Sequence, residues 1–155
     1  MVLVCSAATR SVSSGESFSS AVAASASAQS VMAGASWAHI LSVGEASLAD
    51  LNARLATPLP MNRFRPNLVV AGSAPWAEDG WGDITVGGIP MEVVKSCARC
   101  VVTTTDQATG RRAGDEPLRT LATFRRQDQK VMFGQNVVHD ATGPLRVGDA
   151  VELEA

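Results

Sequence analysis

From Glu45 onward the hydrophobic positions of the chain fall into short runs with readable periods; before it they do not. In EASLADLNARL (45–55), Leu48, Leu51 and Leu55 recur at i, i+3 and i+7, on one face of an amphipathic helix. Ser47 and Asp50 have the spacing of a capping box, and Pro58 and Pro60 stop the helix. From Asn67 the period shortens to that of strands. NLVVAG (67–72) is an apolar run ending at glycine. Ile84 and Val86 alternate with polar neighbours, Gly87-Gly88 supplies a two-residue primed turn, and Ile89, Met91 and Val93 resume the alternation of a β-hairpin. The β-branched run Val101–Thr105 predicts another strand, closed by a turn over Asp106–Gly110. A second helix opens at Pro117, with Leu118, Leu121 and Phe124 on its buried side. Lys130–Val138 and Ala150–Glu154 are the final strands, with turns at Gly143-Pro144 and Gly148-Asp149. Many short strands, two short helices and no βαβ alternation predict an α+β, mainly β domain of barrel-like form.

Residues 1 to about 35 differ in kind. Ser and Ala dominate, Glu16 and Arg10 are the only charges, and no period defines a packed element. Residues 1–40 therefore read as a low-complexity tail, or as a Ser-rich, acid-poor segment like an organellar transit peptide. Residues 17–44 lack charged side chains before Glu45, but Ala and Ser gain too little in hydrocarbon to form a membrane span. The chain carries 46% hydrophobic and 18% charged residues, the balance of a folded domain. A net charge of −2 with scattered Lys and Arg gives no basic face for nucleic acid. Three cysteines, Cys5, Cys97 and Cys100, are too few for a disulfide framework and fit a reducing, intracellular compartment.

Candidate chemistry concentrates in Ser96-Cys97-Ala98-Arg99-Cys100, between the end of one predicted strand and the start of the next. Four readings of it compete. A zinc site needs about four N or S ligands, and only Cys5, His39 and His139 remain to add, none spaced as a second pair. A thioredoxin-like pair needs its cysteine at a helix N-terminus, whereas β-branched residues follow Cys100. Two buried small hydrophobes are the plain structural alternative. The fourth is a single soft thiolate on a soft, redox-active metal, with the Arg99 charge favouring the deprotonated ligand. Spacing alone does not choose among them.

Taken in order, EASLADLNARL, MNRFRPNLVV (61–70), AEDGW (77–81), SCARCVVTTTD (96–106), EPLRTL (116–121), FGQN (133–136) and LRVGDAVEL (145–153) resemble the MOSC domain of the mitochondrial amidoxime-reducing component and related bacterial proteins. The resemblance covers residues 45–155 as the C-terminal part of that domain. It implies a partial MOSC-type β-barrel with two short helices and a disordered N-terminal tail, the family's N-terminal β-barrel region being absent. It further implies a molybdenum cofactor, with Cys100, the second cysteine of C-x-R-C, as metal ligand and catalytic residue. Arg65 and Asn67 of F-R-P-N, and Asn136 after F-G-Q, would hold the pterin. Each also has a plain structural role open to it: a salt bridge from Arg65 to Asp79 or Glu78, a turn or cap at Asn67, a strand end at Asn136. Gly134 reads as a bulge or close backbone approach. Two departures from the family stand out: Ser36–Leu41 where an acidic residue and Pro-Leu usually precede the helix, and Gln107 for the usual proline.

Three functions follow as expectations. The first is an oxidoreductase reducing N-hydroxylated compounds such as amidoximes and hydroxylamines, fed by a separate cytochrome b5-like or ferredoxin-like donor. The second is a non-catalytic cofactor-binding or sulfur-carrying module, as in MOSC domains fused to pyridoxal-phosphate cofactor sulfurases. The third is an inactive fragment whose incomplete barrel leaves open strand edges.

Overall fold

The chain turns first where the glycines demand it. Gly87 and Gly88 adopt φ of 56° and 82°, the left-handed pair a two-residue primed turn requires. The hairpin they join is formed by residues Asp83–Val86 and Ile89–Arg99. In the computed structural model, which describes residues 3–8, 30–31, 40–112 and 114–154, the strands are β1 (Leu3–Ala8), β2 (Ser30–Val31), β3 (Ile40–Gly44), β4 (Leu68–Ala71), β5 (Asp83–Val86), β6 (Ile89–Arg99), β7 (Arg126–Gln127), β8 (Lys130–His139), β9 (Pro144–Leu145) and β10 (Ala150–Leu153). The helices are α1 (Glu45–Ala53) and α2 (Leu118–Leu121), with 3-10 turns at Met61–Phe64, Ala77–Gly80 and Val101–Thr104.

The main sheet runs β3-β4-β1-β10-β5-β6-β8-β7, and a further pairing of β3 with β8 brings its ends together. The result is a nearly closed barrel with β7 appended to β8. The open edges of an incomplete barrel are therefore not what the described strands present. Part of the closure comes from Leu3–Ala8, where composition predicted no packed element: β1 lies parallel to both β4 and β10 and joins them. The fold also extends upstream of Glu45 through β3. Apart from these strands and β2, residues 1–40, and with them most of the expected tail and transit-like segment, lie outside the described residues.

Apolar residues form two cores. Cys5, Ile40, Leu68, Val70, Ile84, Val86, Met91, Val137 and Val151 fill the barrel. Val43, Leu48, Leu51, Phe64, Leu121 and Phe133 pack the helices against its outside. Strand alternation would put Phe133 and Val137 in one core, yet they lie in two. Gly134, at φ 76°, accounts for this. Between Ser96↔Gln135 and Ala98↔Met132, Phe133 and Gly134 oppose the single residue Cys97, a bulge that turns β8 over.

Two local expectations are corrected. Ser47 does not cap α1: the N-cap is Gly44, so Ser47 sits a turn too late. Its hydroxyl instead donates to Glu78 Oε2 at 2.8 Å and accepts from the Trp76 N–H, while Gly44 N–H donates to Glu78 Oε1 at 3.1 Å. The buried Glu78 carboxylate thus takes the place of a cap. Nor is Val101–Thr105 a strand. Thr103 and Thr104 hydroxyls donate to the carbonyls of Cys100 (2.9 Å) and Val101 (2.7 Å), back-bonds that threonine offers and that wind Val101–Thr104 into a 3-10 turn. Only Thr105 keeps a bridge, to Arg112.

A Cβ at Gly134 would lie 2.7 Å from the Ser42 carbonyl oxygen and 2.8 Å from Val43 Cγ2. Gly134→Ala is expected to destabilise the protein by roughly 3 kcal/mol, combining left-handed strain with overpacking at the β3–β8 seam. Urea unfolding of the two proteins measures it, and an unchanged midpoint would contradict the seam as described.

Candidate functional site

The far half of β6 carries the site. Ser96–Arg99 belong to the strand rather than to a loop, and the pairing with β8 slips twice along it, between Val93 and Lys95 and between Ser96 and Ala98. At the second slip Cys97 faces the Gly134 bulge. Its thiol is half-buried, and Arg99 Nη1 lies 3.4 Å from Sγ. Arg99 was expected to place its charge beside Cys100; the guanidinium turns instead to Cys97. Its other end donates to the Phe64 carbonyl at 2.6 Å, and the guanidinium stands over the Phe64 ring.

Cys100 ends β6 and begins the 3-10 turn, with its thiol side exposed. The Thr103 N–H and hydroxyl both bond its carbonyl, at 3.1 and 2.9 Å, so its backbone is held while its side chain is free. Asp106, closing that turn, accepts from Thr109 N–H, Thr109 Oγ1 and Ala108 N–H. Those bonds, the Thr109 backbone first, with the Arg63 charge, hold its carboxyl below the ordinary 3.8. Arg63 is buried and reaches Asp106 at 3.3 Å, tying the Met61–Phe64 turn to the one after Cys100.

Arg65 caps the Met61–Phe64 turn in the left-handed conformation, φ 53° and ψ 47°, which costs a non-glycine residue of order 1 kcal/mol or more. Neither salt bridge open to it forms. Asp79 is taken by Arg125, at 2.6 and 2.8 Å, and by Gln135, and Glu78 by Gly44 and Ser47. Among the described residues the exposed Arg65 guanidinium has no hydrogen-bond or ion-pair partner. Asn67 clamps β3: its N–H donates to the Leu41 carbonyl and its Oδ1 accepts from the Leu41 N–H, both at 2.9 Å. Asn136 is opposite Leu41 on the other side, mid-strand rather than at a strand end, with Nδ2 at 3.5 Å from the carbonyls of Lys95 and Ser96.

The structure thus gathers the predicted residues into two linked groups. Arg65 and Asn67 share one loop, and Asn67 and Asn136 flank Leu41. Cys97 and Asn136 line a cleft of about 520 Å³ between β6 and β8, together with Lys95, Lys130, Gln127 and Met132. Cys100, Arg65 and Asn67 are not among its walls; Arg99 connects them to it. The lysines, Gln127 and Met132 are not singled out by the sequence, although Lys130 and Met132 alternate at the start of the β8 run. Arg63 was hidden in a motif where Arg65 drew attention.

Comparison with known proteins is consistent in direction. The sequence profile of the MOSC domain matches residues 29–152. The chain is 40% identical over 121 residues to "Mitochondrial amidoxime-reducing component 1" of Homo sapiens, covering 73% of this chain and 36% of that protein. It is 43% identical over 121 residues to "Mitochondrial amidoxime reducing component 2" of Rattus norvegicus, covering 73% and 35%. The chain therefore spans about a third of the length of these curated relatives. Among solved structures, that of YiiM from Geobacillus stearothermophilus superposes with a TM-score of 0.53 at 18% identity, over 75% of this chain and 54% of that one, a likeness of fold.

The three thiols are expected to separate by reactivity. Burial, then the Asp149 charge, pushes the Cys5 thiol up to about 12, while Cys97 is half-buried and Cys100 exposed. Pulse alkylation read by mass spectrometry is expected to label Cys100 first, Cys97 more slowly and Cys5 only on unfolding. Because the folded pKa of Cys5 lies above the ordinary 9.0, its contribution to stability is whole below pH 9.0 and is lost as pH rises toward 12. Early labelling of Cys5 in native protein would contradict its burial.

Proposed function

The chain belongs to the MOSC domain family, and from that premise we propose that it binds a molybdenum cofactor through Cys100 and reduces N-hydroxylated compounds such as amidoximes and hydroxylamines. The observation that carries this reading is the bond from Arg99 to the Phe64 carbonyl, 2.6 Å long. Arg99 adjoins Cys100 and Phe64 adjoins Arg65, so this one bond holds the exposed thiol's segment and the unpartnered guanidinium's segment together. A thiol and an uncommitted cation on segments tied together by this bond suit a soft metal carried on an anionic ligand.

The residues present fit such a group. Among the described residues no three of His, Cys, Asp and Glu gather to hold a metal ion. Cys100 would give that thiolate. Arg65, whose guanidinium has no partner among the described residues, would pair with the cofactor's negative charge through its planar donor fork. Asn67, whose Oδ1 is committed to Leu41, keeps its amide N–H groups to donate; Asn136 offers its Oδ1 as acceptor. The bound cofactor would supply the two-electron redox chemistry. In the overall reaction the N–O bond of the substrate breaks, two protons and two electrons are taken up, and the oxygen leaves as water. The electrons would come from a separate donor protein, cytochrome b5-like or ferredoxin-like. No helix of the described residues is long and apolar enough to cross a membrane; we place the protein in a reducing compartment, cytoplasmic or organellar.

Expression in a cofactor-producing host, followed by molybdenum analysis, tests this. Near-stoichiometric metal is expected in the parent and in Cys97→Ser, and its loss in Cys100→Ser. Arg65→Ala is expected to weaken cofactor retention without altering the unfolding midpoint, since its side chain makes no internal bond. Folded parent protein devoid of molybdenum would sink the reading, and metal without reduction of benzamidoxime by a competent donor would favour the non-catalytic carrier.

A further inference from the structure

The cleft between β6 and β8 repeats one pair of groups at its two ends. Lys95 stands opposite Asn136 in the β6–β8 register, and Lys130 opposite Gln127 in the β7–β8 register. Each end therefore offers an ammonium beside a carboxamide, and all four residues line the cleft. No carboxylate lies within ion-pair distance of either lysine among the described residues, and Asp128, in the turn between β7 and β8, is not part of the walls. Between the ends the lining is Ser96, Cys97, Ala98 and Met132. A volume of about 520 Å³ lies within the range of about 300–1,000 Å³ for small-molecule sites.

The ends differ in what lies next to them. The β6–β8 register ends at Arg99 opposite Val131, so the Lys130 end of the cleft is the one nearer Cys100 along the chain. The Lys95 end holds Asn136, which the proposed function gives to the cofactor. We propose, resting on that reading, that the cleft takes N-hydroxylated substrates bearing an anionic group, and that Lys130 with Gln127 holds that group at the Cys100 end. An ammonium supplies the charge, the amide of Gln127 a directed donor, and Met132 with Ala98 an apolar wall for the body of the molecule. Selectivity would then favour a carboxylated over a neutral N-hydroxylated compound. The same ammonium chemistry could instead receive a phosphate of the cofactor, and the test separates the two sources.

Isothermal titration of the purified protein with benzamidoxime and with 4-carboxybenzamidoxime reads the preference without turnover. The carboxylated compound is expected to bind roughly fivefold more tightly, the scale of one exposed ion pair of up to about 1 kcal/mol. That margin is expected to shrink at high salt, to vanish in Lys130→Gln, to return in Lys130→Arg and to survive in Lys95→Gln. Binding of benzamidoxime and molybdenum content are expected to be unchanged in Lys130→Gln. Equal binding of the two compounds by the parent, or a preference that outlasts Lys130→Gln, overturns the proposal. So does loss of molybdenum in that variant, which would assign the lysine to the cofactor. Lysine-dependent binding with no turnover would leave the cleft standing and remove the reductase, whereas turnover with no anion preference would do the reverse.

Discussion

The seam where β8 meets β3 governs the rest of the molecule. Backbone there approaches backbone so closely that Gly134 has no room for a side chain, and its left-handed φ turns the strand over. One consequence is architectural: Phe133 leaves the barrel interior and joins Phe64 in the outer core, their ring centroids 4.3 Å apart. Another is local to the site. The same bulge faces Cys97, and Leu41 on β3 is held by Asn67 on one side and Asn136 on the other. Closing the barrel and arranging the candidate cofactor residues are thus one event.

Around that seam the charges divide their labour. Glu78 and Asp79 are neighbours in sequence with opposite duties. Glu78 is buried at the head of α1 and satisfied by neutral donors, whereas Asp79 joins Arg125, which also lies over Trp76, and Gln135 of β8. With both carboxylates committed, Arg65 is left facing solvent. A sequence offers Arg65 several acceptors; only the fold removes them.

What could be read beforehand follows from how local each cause is. The hairpin was legible because two glycines and an alternating flank specify it without help from elsewhere, and α1 because Leu48 and Leu51 share a face, although the helix ends at Ala53 before Leu55. Thr103 and Thr104 misled because β-branched residues favour strands on average, while here their hydroxyls fold back onto Cys100 and Val101. Ser47 misled because the capping box has the right letters one turn out of place. β1 was illegible because its partners, β4 and β10, lie far along the chain. For the site, the resemblance of C-x-R-C and F-R-P-N named the residues. It could not say that Arg99 reaches Cys97 rather than Cys100, or that β6 and β8 each bring a lysine to one cleft.

The parallel placement of β1 between β4 and β10 bears on how the molecule is made. Ser6 lies opposite Ala150 and Cys5 opposite Val70, so these pairings close very large loops. Chains dominated by such distant contacts fold slowly, because the entropy of closure must be met before the contacts can compensate it. As the polypeptide emerges during synthesis, β1 and β4 are available long before β10 exists. The β5–β6 hairpin and α1 can form on the ribosome, but the staves of the barrel cannot be hooped until residues 150–153 are released. Until then the edge of β1 that β10 covers is unpaired, and such an edge is open to pairing with another chain.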